Sequence, residues 1–171
     1  MKTISLIAPI LFYFLQGAYA QENPELEKRS GFKDIKLGST IDSIKGSTFK
    51  KDFIETGKVE AKLYEVKHPD YESIGEIPVH SIELKTYKDL VYQITVHTEK
   101  DPRLMKAMEQ VLGKPDFDAK KNRYFWKTPK LILTFTSISK KELELIYFSY
   151  EILLMMKDDK KEKVNDIAND F

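Results

Sequence analysis

Residues 90–113 read LVYQITVHTEKDPRLMKAMEQVLG, and a change of rhythm inside this stretch decides the fold class. In its first half Leu90, Tyr92, Ile94 and Val96 alternate with other residues, the period of two of an extended strand. After Asp101-Pro102 the apolar residues Leu104, Met105, Met108, Val111 and Leu112 recur three and four apart, one stripe of a helix. Asp101 suits the N-cap and Pro102 the first helical position. Gly113 ends the helix and Pro115 prevents a restart.

Upstream, residues 79–86 form a second strand with His80, Ile82 and Leu84 on one face. A two-residue turn at Lys88-Asp89 would oppose Ile82 to Thr95 and Leu84 to Gln93. A three-residue loop, Tyr87-Lys88-Asp89, opposes Ile82 to Ile94 and Leu84 to Tyr92. The second choice keeps the apolar residues in phase and is the expected register, with His80 facing in and His97 out. Residues 61–67 alternate as a further strand, and 68–78 read as a loop. Ser39-Thr40-Ile41-Asp42 has capping-box spacing, so a short helix is expected there, burying Ile41 and Ile44 and closing at Gly46. Phe49, Phe53 and Ile54 are expected to continue that packing. The polar residues 21–30 read as a flexible leader.

Downstream, strands are expected at 123–128, 130–138 and 142–154. In the last, Ile146, Phe148 and Tyr150 share one face and Leu143, Leu145 and Tyr147 the other, which suits a central strand. A final amphipathic helix over 157–171 would use Val164, Ile167 and Phe171. The order is helix, strands, helix, strands, helix. With hairpin-length links this is an α+β fold: a mainly antiparallel sheet with short helices on one face, one domain over 31–171.

Residues 1–20 differ from the rest. A single charge, Lys2, precedes an apolar run of about a dozen residues, too short to span a bilayer, and Ala18-Tyr19-Ala20 supplies the small residues that a signal peptidase requires. They are read as a cleavable export signal, which places the protein in the periplasm or outside the cell. Removing Lys2 from the 28 Lys+Arg leaves 27 against 27 Asp+Glu, so the mature chain has no field to draw in nucleic acid, and no stable membrane insertion is expected after cleavage. The chain has no cysteine, which excludes disulfides, thiolate metal sites and thiol chemistry.

No sequence motif points to catalysis. His68, His80 and His97 lack metal-site spacing, no G-x-S-x-G surrounds a serine, and no glycine-rich phosphate loop occurs. No catalytic residue, cofactor or metal ligand is therefore assigned. Aromatic residues cluster at 124–126 and 147–150. Beside their role in packing, Tyr124, Trp126, Tyr147 and Tyr150 are the candidate partner-binding residues, because aromatic side chains dominate interface energetics.

The run Phe32-Lys33-Asp34-Ile35-Lys36-Leu37-Gly38-Ser39-Thr40, with Leu112-Gly113-Lys114-Pro115 further on, resembles the β-lactamase-inhibitor-protein-like group and its relatives among small outer-membrane assembly lipoproteins. The resemblance implies short helices on one face of an antiparallel sheet and a binding role, and it carries no catalytic residue across. Those lipoproteins begin with a lipidated cysteine, which is missing here. The expected function is thus an exported, non-enzymatic binding or envelope-assembly domain with a protein or peptide partner in the cell envelope. The alternative is a small extracytoplasmic hydrolase working through carboxylates.

Overall fold

In a computed structural model the described residues are 23–55 and 59–169. The expected export signal and Phe171 lie outside them, as does the side chain of Ile167. Helices are α1 (Pro24–Arg29), α2 (Pro102–Leu112) and α3 (Tyr150–Asn169). Strands are β1 (Gly31–Phe32), β2 (Ile35–Lys36), β3 (Ser47–Glu55), β4 (Val59–Val66), β5 (Ser73–Ile74), β6 (Ile77–Tyr87), β7 (Leu90–Glu99), β8 (Asp116–Asp118), β9 (Arg123–Lys127), β10 (Leu131–Ser137) and β11 (Glu142–Ser149). The fold is α+β, as the alternation of periods requires. Among the described residues no helix is long and apolar enough to cross a membrane.

β1 and β2 form a small hairpin, and the main sheet runs β3-β4-β6-β7-β11-β10-β9-β8, with β5 pairing beside β6. All its pairings are antiparallel. Each half of the sheet is a meander, and the last strand of one half, β7, pairs with the last strand of the other, β11. Seven residue pairs join them, from Glu142↔Glu99 to Phe148↔Gln93. α2 carries the chain from β7 at the centre to β8 at the far edge. Asp101 caps it by accepting from Arg103 N at 2.8 Å, and Gly113 ends it with φ 76°. Val111, placed on the buried stripe by spacing, is 41% exposed.

One face of the sheet carries the main core. Ile82, Leu84, Ile94, Val96, Leu133 and Leu145 are buried there under Leu26, Phe32, Ile35 and Leu104. The opposite face is covered by α3 at one end only, where Ile152 and Met156 pack on Ala61, Tyr87 and Tyr92. The expected strand to residue 154 and helix from 157 are corrected: β11 stops at Ser149 and α3 starts at Tyr150. Ser149 is the reason, since its Oγ accepts from Ile152 N at 3.3 Å, a cap after which Ile152 and Met156 fall one turn apart on the buried side.

The β6–β7 hairpin also differs. The turn is the two-residue one, with Lys88 at φ 49° and Asp89 at φ 62°, both left-handed as a primed turn requires. The apolar faces stay in phase because the register shifts between Lys85 and Thr86, which leaves Tyr92 extra in β7. Ile82 then meets Val96 and Leu84 meets Ile94. A second shift, between Val79 and Ser81, leaves His80 unpaired and exposed rather than inward. The 39–46 segment is a 3-10 turn, Ile41–Ser43, without a side-chain cap, though Ile41 and Ile44 are buried as expected. Gly46 has φ 71°, and a Cβ there would stand 2.1 Å from Lys67 O, so the turn depends on glycine. Phe49 and Ile54 lie not in the core but on the edge strand β3, at 50% and 63% exposure.

The expected flexible leader is corrected from Asn23 onward. Asn23 Oδ1 accepts from Leu26 N at 3.0 Å and caps α1, while its Nδ2 donates to Leu112 O at 2.7 Å. Leu26 is fully buried in the main core. A single leucine in a polar decapeptide leaves no periodicity to read, yet it docks the segment. We expect Leu26→Ala to lower unfolding free energy by about 2–5 kcal/mol, the range for leucine truncation in a core. Urea denaturation measures it, and a loss under about 0.5 kcal/mol would mean that the segment is not docked.

Candidate functional site

The four candidate aromatic residues do not form one surface. Trp126 is 3% exposed, and its Nε1 donates to Gly113 O at 2.8 Å. It is a core residue that pins the end of α2 to β9, so its expected role as a partner anchor is corrected. Strand alternation alone could not show that α2 ends above it. Tyr124 is 42% exposed and stacks on Phe117, ring centroids 4.9 Å apart, at the β8–β9 edge. Tyr150 is half-buried at the first position of α3, 6.1 Å from the Phe148 ring, and burial raises its pKa. Tyr147 lies elsewhere, opposite Leu133 and Ile94 on the helix-covered face.

Tyr147 lines a cavity of about 310 Å³ between the helices and the sheet. Leu133 and Leu145 lie beside it on the sheet. Leu26 of α1, Phe32 of β1, Leu104, Met108 and Leu112 of α2, and Ile74 of β5 complete the apolar lining. The leucines on the sheet are almost wholly buried, whereas Tyr147, Met108, Leu112 and Ile74 are half-buried and form the walls that solvent reaches. Burial pushes the Tyr147 phenol up to about 12, and the nearby Arg29 guanidinium opposes that rise. A group so deep among protein atoms that still keeps accessible surface is a cavity wall. What distinguishes this cavity is its lining, which is mostly apolar.

The charged members of the lining are Arg29, Lys33 and Lys36, and no carboxylate is among them. Arg29 meets Glu25 at 3.4 Å with both side chains exposed, a pairing of small worth. Lys36 Nζ donates to Arg29 O at 3.0 Å, and Lys33 Nζ donates to Asp70 O. Both lysines therefore donate to backbone carbonyls, Lys36 at the cavity and Lys33 at Asp70 outside its lining, and those contacts leave their charge uncompensated. The sequence carried a trace of this arrangement, because Arg29, Lys33 and Lys36 flank Phe32 and Ile35 at close spacing.

The open face is mixed, with Phe125, Ile132 and Ile146 half-buried beside Thr95 and Thr134, and it holds a constellation that strand-by-strand reading missed. Ser81, His97 and Glu144 stand opposite one another on β6, β7 and β11. Ser81 Oγ lies 2.9 Å from His97 Nδ1, and His97 Nε2 lies 3.2 Å from Glu144 Oε2. A hydroxyl, an imidazole and a carboxylate in a row are the parts of a nucleophile relay. Acyl transfer further requires donors aimed at the developing oxyanion. The side chains that share this face near Ser81 include Glu83, Glu142 and Glu144, whose charge opposes an oxyanion. Beside Ser81, where β4 parts from β6, a cleft of about 590 Å³ is lined by His68, Tyr71, Glu72 and His80. Among the described residues no group of three or more His, Cys, Asp or Glu converges to hold a metal ion. The carboxyls of Glu65 and Asp101 are held below their ordinary range, by hydrogen bonds from Lys67 and Lys50 and from Arg103 respectively, the direction opposite to a general acid.

Comparison of the chain with family models, curated proteins and solved structures gave no match.

The elevated tyrosine makes a pH dependence. With a folded pKa near 12 against 10.0 ordinarily, Tyr147 contributes stability that is complete below pH 10 and lost as the pH rises through about 12. Phenylalanine at 147 removes this share, so Tyr147→Phe should lose less stability than the wild type over that interval. Urea midpoints at successive pH values read the difference, and identical losses would place the phenol in ordinary solvent.

Proposed function

We propose that the protein is an exported, non-enzymatic binding domain of the cell envelope, akin to the β-lactamase-inhibitor-like group, and that it binds a small ligand in the cavity floored by Tyr147. The observation that carries the reading is the mostly apolar cavity with the Tyr147 phenol in its wall. Ligand sites are concave and mostly apolar, with few polar groups that fix orientation. α1 and α2 on one face of the antiparallel sheet fit the arrangement that the family resemblance implies, and α3 on the other face departs from it. The signal-like residues 1–20 support export. The open sheet face supports a protein contact less than expected, because Ser81, Glu83, His97 and Glu144 are interspersed there with half-buried Phe125, Ile132 and Ile146, and the four candidate aromatic residues make no continuous patch on it.

A binding domain whose site is this cavity should carry a small molecule when isolated from the envelope of its host. Native mass spectrometry would show the adduct, and Met108→Trp, which fills the cavity, should abolish it. An adduct that survives that substitution counts against the cavity.

The hydrolase reading has one observation of its own, the row Ser81–His97–Glu144. It separates from the binding reading by covalent chemistry. We expect a fluorophosphonate probe to leave the protein unlabelled, and labelling that disappears in Ser81→Ala would make the protein a serine hydrolase.

A further inference from the structure

We infer that the ligand of the Tyr147 cavity is a single-chain amphiphile with an anionic head, a free fatty carboxylate of about a dozen carbons; this rests on the binding reading above. The lining divides by chemistry. Its deep part is aliphatic and aromatic: Leu133, Leu145, Leu104 and Phe32. Its charged part is all cationic, Arg29, Lys33 and Lys36. A ligand that satisfies both must be apolar over most of its length and negative at one end.

Size sets the chain length. An apolar cavity of about 150 Å³ accommodates benzene, six carbons. The 310 Å³ here scales to about a dozen. The head chemistry follows from the donors. The Arg29 guanidinium offers a planar fork that matches a carboxylate bidentately, and its competing partner Glu25 is an exposed carboxylate at 3.4 Å that a ligand can displace. Lys36 stands beside it, donating to Arg29 O. The Tyr147 hydroxyl, in the same lining, adds a neutral donor.

α1 and the β1–β2 hairpin supply the cations, and they are secured at one point by the Asn23–Leu112 hydrogen bond and at another by Leu26. The cationic rim is therefore held over the cavity rather than trailing from it.

Isothermal titration of the purified protein with dodecanoate tests the inference. One molecule should bind per protein. Dodecyltrimethylammonium, with the same chain and opposite charge, should bind at least tenfold more weakly. Arg29→Glu, an exposed change that leaves the core intact, should weaken dodecanoate tenfold or more, and Met108→Trp should abolish binding while circular dichroism stays native. Equal binding of the two detergents, or insensitivity to Arg29→Glu, overturns the anionic head. Absence of dodecanoate binding overturns the inference too, but a natural adduct lost in Met108→Trp would then leave the binding reading standing. Binding untouched by both substitutions removes the cavity from both.

Discussion

The pairing of β7 with β11 is the interaction on which the rest of the structure depends. It joins residues 93–99 to residues 142–148, far apart in sequence, and unites two local meanders into one sheet. Its register sets Ile94 against Tyr147 and Val96 against Leu145, which makes a continuous apolar floor. The same register aligns His97 with Glu144 on the reverse. A slip by one residue would exchange the two faces and bury the acids.

With that floor fixed, the helical layer explains the asymmetry of the molecule. α1, the β1–β2 hairpin and α2 lie over one face and fill it incompletely, leaving the space beside Tyr147. On the other face α3 covers only the end that holds Tyr87 and Tyr92. There the Tyr87 hydroxyl donates to Asp159 at 2.6 Å, and Lys88 meets the same carboxylate at 2.6 Å, so the helix is held by both packing and charge. The uncovered remainder mixes half-buried Phe125, Ile132 and Ile146 with polar side chains that water satisfies.

Much of this was legible in the sequence, because it rests on period. The strands around Ile82, Ile94 and Ile146, the capped helix after Asp101 and the α+β class all follow from spacing. What escaped had other causes. The β6–β7 register was misjudged because an extra residue, Tyr92, can restore phase as well as a longer loop can. The edge strand β3 was hidden because an exposed strand has no apolar face to announce it. Leu26 was hidden because a six-residue helix shows less than two turns of pattern. Of the site, Tyr147 could be named from the aromatic cluster, but the helices above it place it at a cavity instead of a surface. The Ser81–His97–Glu144 row needs three strands in register, and no single strand encodes that.

The two edges of the sheet have a consequence for self-association. A free strand edge is a template on which another chain can add its own strand. Here β3 offers nine residues and displays Phe49 and Ile54, both exposed. It interrupts that template with a register shift between Phe49 and Lys51 and with the charges of Lys50, Lys51 and Asp52. At the far edge β8 has only three residues, two of them aspartates. One border is thus broken and charged and the other cut short, so neither presents the long, flat, uncharged ladder from which fibrils grow.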